Sequence, residues 1–202
     1  MNELQWSAFL ERCFIPRVFY DIGANNPFAT PGGQQVAFKP LLPGTEFYLF
    51  EASAKHEPEL LRSGEPYAIA VLGELDGDER TFYESTAYPS GTGDSLYREQ
   101  SRFYADDVLV QKCVTTRTLD SVVAERGWPF PDFIKLDTQG SELAILRGAP
   151  NCLARARAVM LECSVREYNR NAPRLADIVF FMGNEGFEVW DINAPEIGRA
   201  HV

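Results

Sequence analysis

The residues best suited to chemistry are acids and glycines that close apolar runs. The first run ends in Asp21-Ile22-Gly23-Ala24-Asn25. A glycine there lets backbone approach a ligand, because no Cβ stands in the way. An acid just before the loop suits a cationic amino group better than a phosphate. The run also lacks the repeated glycines that a pyrophosphate meets in dinucleotide sites. The second run, Phe47-Tyr48-Leu49-Phe50, closes on Glu51, 30 residues after Asp21. A carboxylate in that place can accept hydrogen bonds from both hydroxyls of a ribose. The third closes on Asp137, within Ile134-Lys135-Leu136-Asp137-Thr138-Gln139-Gly140-Ser141-Glu142. Asp137 is expected to point into the same crevice as Gly23.

Lys135 stands mid-strand among apolar neighbours, and a buried ammonium needs a partner. Glu162, which ends the run over residues 158–161, and Glu142 are the expected partners. A structural ion pair and a substrate-orienting lysine are equal readings of Lys135. Glu142 falls in a first helical turn, where negative charge is favourable in any case. Asp137, Glu142 and Glu162 are the candidate general bases, since burial raises a carboxylate's pKa toward a useful value. Neither His56 nor His201 closes a strand-like run.

These residues need elements to hold them. Strand-like runs over 17–22, 45–50, 67–72, 133–136, 158–161 and 187–192 alternate with helix-like runs. The latter cover 34–42, 55–62, 118–125, 140–147 and 172–182. Such alternation predicts an α/β, Rossmann-like fold: a mostly parallel central sheet with helices on both faces. Thr118 is the expected N-cap of one helix and Gly127 its stop. Asp76-Gly77 reads as a turn into an added strand over 80–83, and 108–116 reads as extended. Residues 84–107 are polar and aromatic, with Gly91 and Gly93 among them. A segment that long inside a compact domain reads as a functional loop or lid. Residues 1–16 read as a helical lead-in, and 1–202 as a single domain.

Bulk properties narrow the partners. The 202 residues carry a formal net charge of −10. Nucleic-acid binders usually present a basic face, so neither nucleic acid nor an anionic membrane surface is an expected partner. Cys13, Cys113, Cys152 and Cys163 form no C-x-x-C pair and lie near neither histidine. No zinc site and no disulfide framework are expected, and isolated thiols suit a reducing cytoplasm. No secretion signal or spanning apolar stretch is visible.

The order of these runs resembles the FkbM family. The resemblance is carried by Val18-Phe19-Tyr20-Asp21-Ile22-Gly23-Ala24-Asn25, Leu49-Phe50-Glu51-Ala52, Thr118-Leu119-Asp120-Ser121-Val122, the Ile134 to Ala149 stretch, and Leu161-Glu162. It covers roughly residues 17 to 192 and is most specific over 134–149. It implies a class I methyltransferase that uses S-adenosylmethionine. It further implies O-methylation of a small-molecule acceptor, a sugar or natural-product hydroxyl. Carried over, Asp21, Gly23 and Asn25, with Ala24 between them, surround the aminocarboxypropyl end of the cofactor. Glu51 holds the ribose beside Ala52, and residues 70–72, ending in Leu72, flank the adenine. Gly93-Asp94-Ser95-Leu96 resembles the family's Ser-Leu element and would bring Ser95 to the cofactor.

Two departures stand out. Pro27 replaces a frequent glycine, and no seventh strand is visible beyond Ile192. An unfinished sheet edge favours homo-oligomers. Two other readings share the pattern. An NAD-dependent oxidoreductase would keep Glu51 but needs a glycine-rich turn. A non-catalytic module would keep only the fold.

Overall fold

The computed structural model describes residues 14–28, 39–88 and 90–192. Five strands form one parallel sheet: β1 (Val18–Ile22), β2 (Glu46–Glu51), β3 (Tyr67–Ile69), β6 (Phe133–Leu136) and β7 (Ala158–Leu161). Their order is β3-β2-β1-β6-β7. The chain winds outward in one direction from β1 and then in the other from β6. The topological switch point therefore lies between β1 and β6, and open α/β sheets bind ligands at the carboxyl edge there. Two further strands, β4 (Glu79–Ser85) and β5 (Leu109–Thr115), form a separate antiparallel pair.

Burial explains why the central strands read as continuous apolar runs. Every residue of β1 and β6 is buried, as expected for strands covered on both faces. On one face, Val18, Tyr20, Ile22, Ile134 and Leu136 pack against helices α2 (Leu119–Arg126), α3 (Glu142–Arg147), α4 (Pro150–Leu153) and α5 (Leu175–Asn184). On the other, Phe19, Phe47, Leu49 and Phe133 pack with Leu42 and with Leu60 of α1 (Glu57–Ser63). Phe19 and Phe133 stack with ring centroids 4.7 Å apart. Polar anchors set the strand and helix starts. The Asp132 carboxylate accepts from the Arg17 and Val18 N–H groups at 2.9 and 3.0 Å. The Asp120 carboxylate accepts from Asn151 and Cys152 at the start of α4.

Helix α2 starts and stops as its residues dictate. The Thr118 hydroxyl accepts from the Ser121 N–H at 3.1 Å, and Gly127 takes φ +63° just past the end. Other boundaries differ from expectation. Strand β3 ends at Ile69, and Leu72 only touches Arg117 in a lone bridge. Helix α3 begins at Glu142, because Gln139 and Gly140 both have positive φ and form the preceding turn. Pro150 opens the short helix α4 just past the end of α3. Helix α5 begins at Leu175.

Residues 187–192 form no strand, a correction to the expected sixth strand. Among the described residues nothing pairs with them, and Val189, Trp190 and Ile192 are exposed. Strand propensity without a ladder partner does not make a strand. Of the expected helix over 34–42, a single 3-10 turn at Lys39–Leu41 is seen, and 34–38 lie outside the described residues. Of the helical lead-in, 1–13 also lie outside, and 14–16 are not helical. The place of a seventh strand beyond Ile192 is outside as well. No helix among the described residues is long and apolar enough to cross a membrane.

The 84–107 segment is a packed strap across the carboxyl edge. It is tied to β1 where Asn25 Nδ2 donates to the Ser90 carbonyl at 3.2 Å. Beyond β2, Lys55 forms an ion pair with Asp94. Beyond β6, the Ser95 hydroxyl lies 3.1 and 2.9 Å from the Thr138 and Gln139 carbonyls. Past β7, Asn169 Nδ2 donates to the Tyr97 carbonyl at 2.9 Å. Buried Leu96 and Tyr104 give the strap its own apolar footing.

Candidate active site

The register of the two central strands builds the site. Asp21 on β1 lies directly opposite Lys135 on β6. Lys135 Nζ sits 2.9 Å from Asp21 and 3.6 Å from Asp137. Both Asp21 and Lys135 are fully buried. Their contact is a buried ion pair. Burial pushes against the ammonium, but the two carboxylates outweigh it and hold Lys135 above the ordinary lysine range. The expected partners, Glu142 and Glu162, are thus corrected to Asp21 and Asp137. Asp137 follows Lys135 by two residues and so shares its side of the strand, whereas the Asp21 partner is visible only in the register.

Asp21 has no surface to offer a ligand at 1% exposure. Its expected contact with a cationic end of the cofactor gives way to the pair with Lys135. Gly23 also changes its reason. A Cβ there would stand 1.9 Å from the Asp137 carbonyl oxygen, at φ +79°. Gly23 lets the β1 loop pass the end of β6; its N–H and that of Ala24 both donate to the Phe50 carbonyl at 3.0 Å. Ala24 is buried, and Asn25 takes φ +49°.

Glu51 is held from both sides. One oxygen accepts from the Asn25 N–H at 2.8 Å, the other from the Ser53 N–H at 2.8 Å. Burial pushes its pKa up against those bonds. A carboxylate has about four acceptor positions, so these backbone bonds leave it capacity to accept from a further donor. Ala52 beside it is half-buried. Leu72 is buried in the core. Ser95 is buried, with its hydroxyl spent on the Thr138–Gln139 backbone.

The other end of the edge holds the acids. Glu142 is buried, and its oxygens accept from the Thr138 N–H and hydroxyl and from the Gly140 N–H, at 2.8 to 3.0 Å. It scaffolds the turn before α3. Asp137 is different: its side chain is 30% exposed. Burial pushes Asp137 up, but hydrogen bonds from Glu162 and Gln139 and the charge of Lys135 hold it below the ordinary aspartate range, a correction to the expected upward shift, so its case as a base rests on position and not on a raised pKa. Glu162, at the end of β7, is exposed and hydrogen bonds to Asp137, which raises its own pKa to about 9. The two carboxyls therefore titrate as a pair, with one proton held between them. Gln139, not singled out by the sequence, bridges them: its Nε2 donates to Asp137 at 3.1 Å and to Glu162 at 2.7 Å. The signal for Gln139 is its place, a polar residue two positions after a strand-ending acid. Among the described residues no group of three His, Cys, Asp or Glu side chains could hold a metal ion.

A parallel sheet with its switch point between β1 and β6, helices on both faces and acids at three strand ends defines a Rossmann-like class I methyltransferase fold. The family model for the methyltransferase FkbM domain matches residues 21–189, and the chain belongs to that family. Among solved structures, an FkbM methyltransferase from Methylobacillus flagellatus KT is 16% identical with a TM-score of 0.48. The match covers 84% of this chain and 36% of that one, so the chain spans about a third of that protein's length. No curated protein matches the chain.

Proposed function

We propose that this chain transfers a methyl group from S-adenosylmethionine to the oxygen of a small-molecule hydroxyl, with Asp137 as the base. The acceptor class is a sugar or a related natural product. The cofactor, when bound, supplies an electrophilic methyl carbon on a sulfonium. Glu51 receives the ribose hydroxyls on the lone pairs its backbone partners leave free. The turn from Gly23 to Asn25 crosses from the end of β1 to the end of β2, beside Glu51. Lys135 keeps Asp137 ionised from below. Asp137 accepts the acceptor's proton, and Glu162 and Gln139 hold its carboxylate in place. Methyl transfer creates little new charge, so orienting the acceptor in line does most of the work.

The observation that carries this reading is Asp137: a part-exposed carboxylate beside the Lys135 ammonium, at the switch point of a methyltransferase-family sheet. The net charge of −10 supports a small molecule as partner over a nucleic acid or an anionic membrane surface. An open β7 edge among the described residues supports a homo-oligomer.

The test is titration calorimetry with S-adenosylmethionine, S-adenosylhomocysteine and NAD, followed by labelled methyl transfer to a panel of sugars and hydroxylated natural products. Binding of both sulfur nucleosides and transfer to a hydroxyl supports the reading. Binding of NAD alone overturns it.

A further inference from the structure

Proton removal by Asp137 does not explain the backbone of Gln139. Gln139 has φ +56°, a conformation that L side chains rarely adopt. Such strain persists where the surroundings fix it and often marks a working part of a site. Two contacts fix it here. The Gln139 carbonyl lies 2.9 Å from the Ser95 hydroxyl of the strap. Its side-chain amide faces two carboxyls at once, at 3.1 and 2.7 Å. Only the NH2 end of an amide can donate to both, and it has one hydrogen for each.

We propose that Gln139 is a positioning residue for methyl transfer: its amide clamps Glu162 against Asp137, and its left-handed backbone aims that amide. The proposal rests on the reading of Asp137 as the base. Two carboxyls this close repel unless a proton or a donor lies between them. Glu162 is exposed, so without a clamp it rotates toward water. An amide does not titrate, so it holds both acids whatever their protonation. A glutamate in its place would donate nothing and add a third negative charge. Through Ser95, the strap fixes the turn that carries the clamp.

The substitution Gln139→Gly separates the clamp from the fold, because glycine removes the amide and relieves the positive φ. Gln139→Glu keeps the size and removes both donors. The measurement is a carboxyl-carbon NMR titration of protein labelled at Asp and Glu, from about pH 3 to about pH 10, with Asp137→Asn and Glu162→Gln for assignment. S-adenosylhomocysteine affinity and melting temperature are the controls. In the wild-type chain the two acids should titrate far apart, with Glu162 near 9. In Gln139→Gly the gap should narrow by about one pH unit or more. Its melting temperature should not fall, and its nucleoside affinity should stay within roughly threefold. In Gln139→Glu the Asp137 titration should move up. An unchanged gap in both variants overturns the clamp, whatever the melting temperature does. A wild-type chain whose two acids titrate together sinks the Asp137 reading itself, which is a separate result.

Discussion

The two halves of the carboxyl edge hold their acids in different ways. On the β1–β2 side, Glu51 is gripped by backbone N–H groups from Asn25 and Ser53. On the β6–β7 side, Asp137 and Glu162 are gripped by the side chains of Lys135 and Gln139 and by each other. Backbone donors neither titrate nor rotate, so the first acid is a fixed acceptor suited to binding. Side-chain partners couple the charges, so the second pair shares a proton and is suited to moving one. Under the proposed function, one half of the sheet edge binds and the other handles the proton, divided at the switch point.

The largest effect should come from beneath the proton-handling half. Lys135→Met leaves Asp21 buried without its cation, and should cost about 3–5 kcal/mol of stability in denaturant unfolding. A loss below about 1 kcal/mol would mean that the pair is not what joins β1 to β6. Next, Asp137→Asn should slow methyl transfer by about 10²- to 10⁴-fold while S-adenosylhomocysteine still binds. An unhurt rate removes Asp137 as base. On the binding half, Glu51→Ala should weaken cofactor binding by about 1–3 kcal/mol in calorimetry. It should leave the Asp137–Glu162 titration alone, and a shifted titration breaks the division of the edge.

Smaller effects sharpen it. Ser95→Ala removes the strap's hydrogen bond to the turn and should cost about 0.5–1.5 kcal/mol of stability, read from chemical denaturation. Last comes a pH slope. Glu162 holds its proton more tightly folded than unfolded, so its contribution is complete below the ordinary glutamate range and fades as pH rises toward 9. Asp137, held low, acts in the opposite sense and is lost only in acid. Between neutral pH and about pH 9 the melting temperature should fall slightly, and Glu162→Gln should flatten that slope. Identical slopes in both proteins would leave the shared proton without support.

What the sequence made legible follows from local rules. Phe133–Leu136 and Ala158–Leu161 read as strands because both are short apolar runs bounded by polar residues. Thr118 and Gly127 announced α2 through their capping chemistry. Residues 84–107 were too long for a plain turn, and they do cross the edge as a strap. The failures are failures of register and partnership. Lys135 was given the wrong acids because the partner of a mid-strand residue depends on which residue lies opposite. Gly23 has a packing reason that no local rule shows: the Asp137 carbonyl across the same pair of strands leaves no room for a Cβ. The run over 187–192 has strand propensity, yet a strand needs a neighbour to pair with.

The claim beneath all of this is that Gly23, Glu51 and Asp137 face one nucleoside cleft. A crystal structure with S-adenosylhomocysteine bound tests it directly. The ribose hydroxyls should lie within hydrogen-bonding distance of the Glu51 carboxylate, with the sulfur turned toward Asp137. A nucleoside seated away from the β1–β6 switch point, or with its ribose far from Glu51, would contradict it.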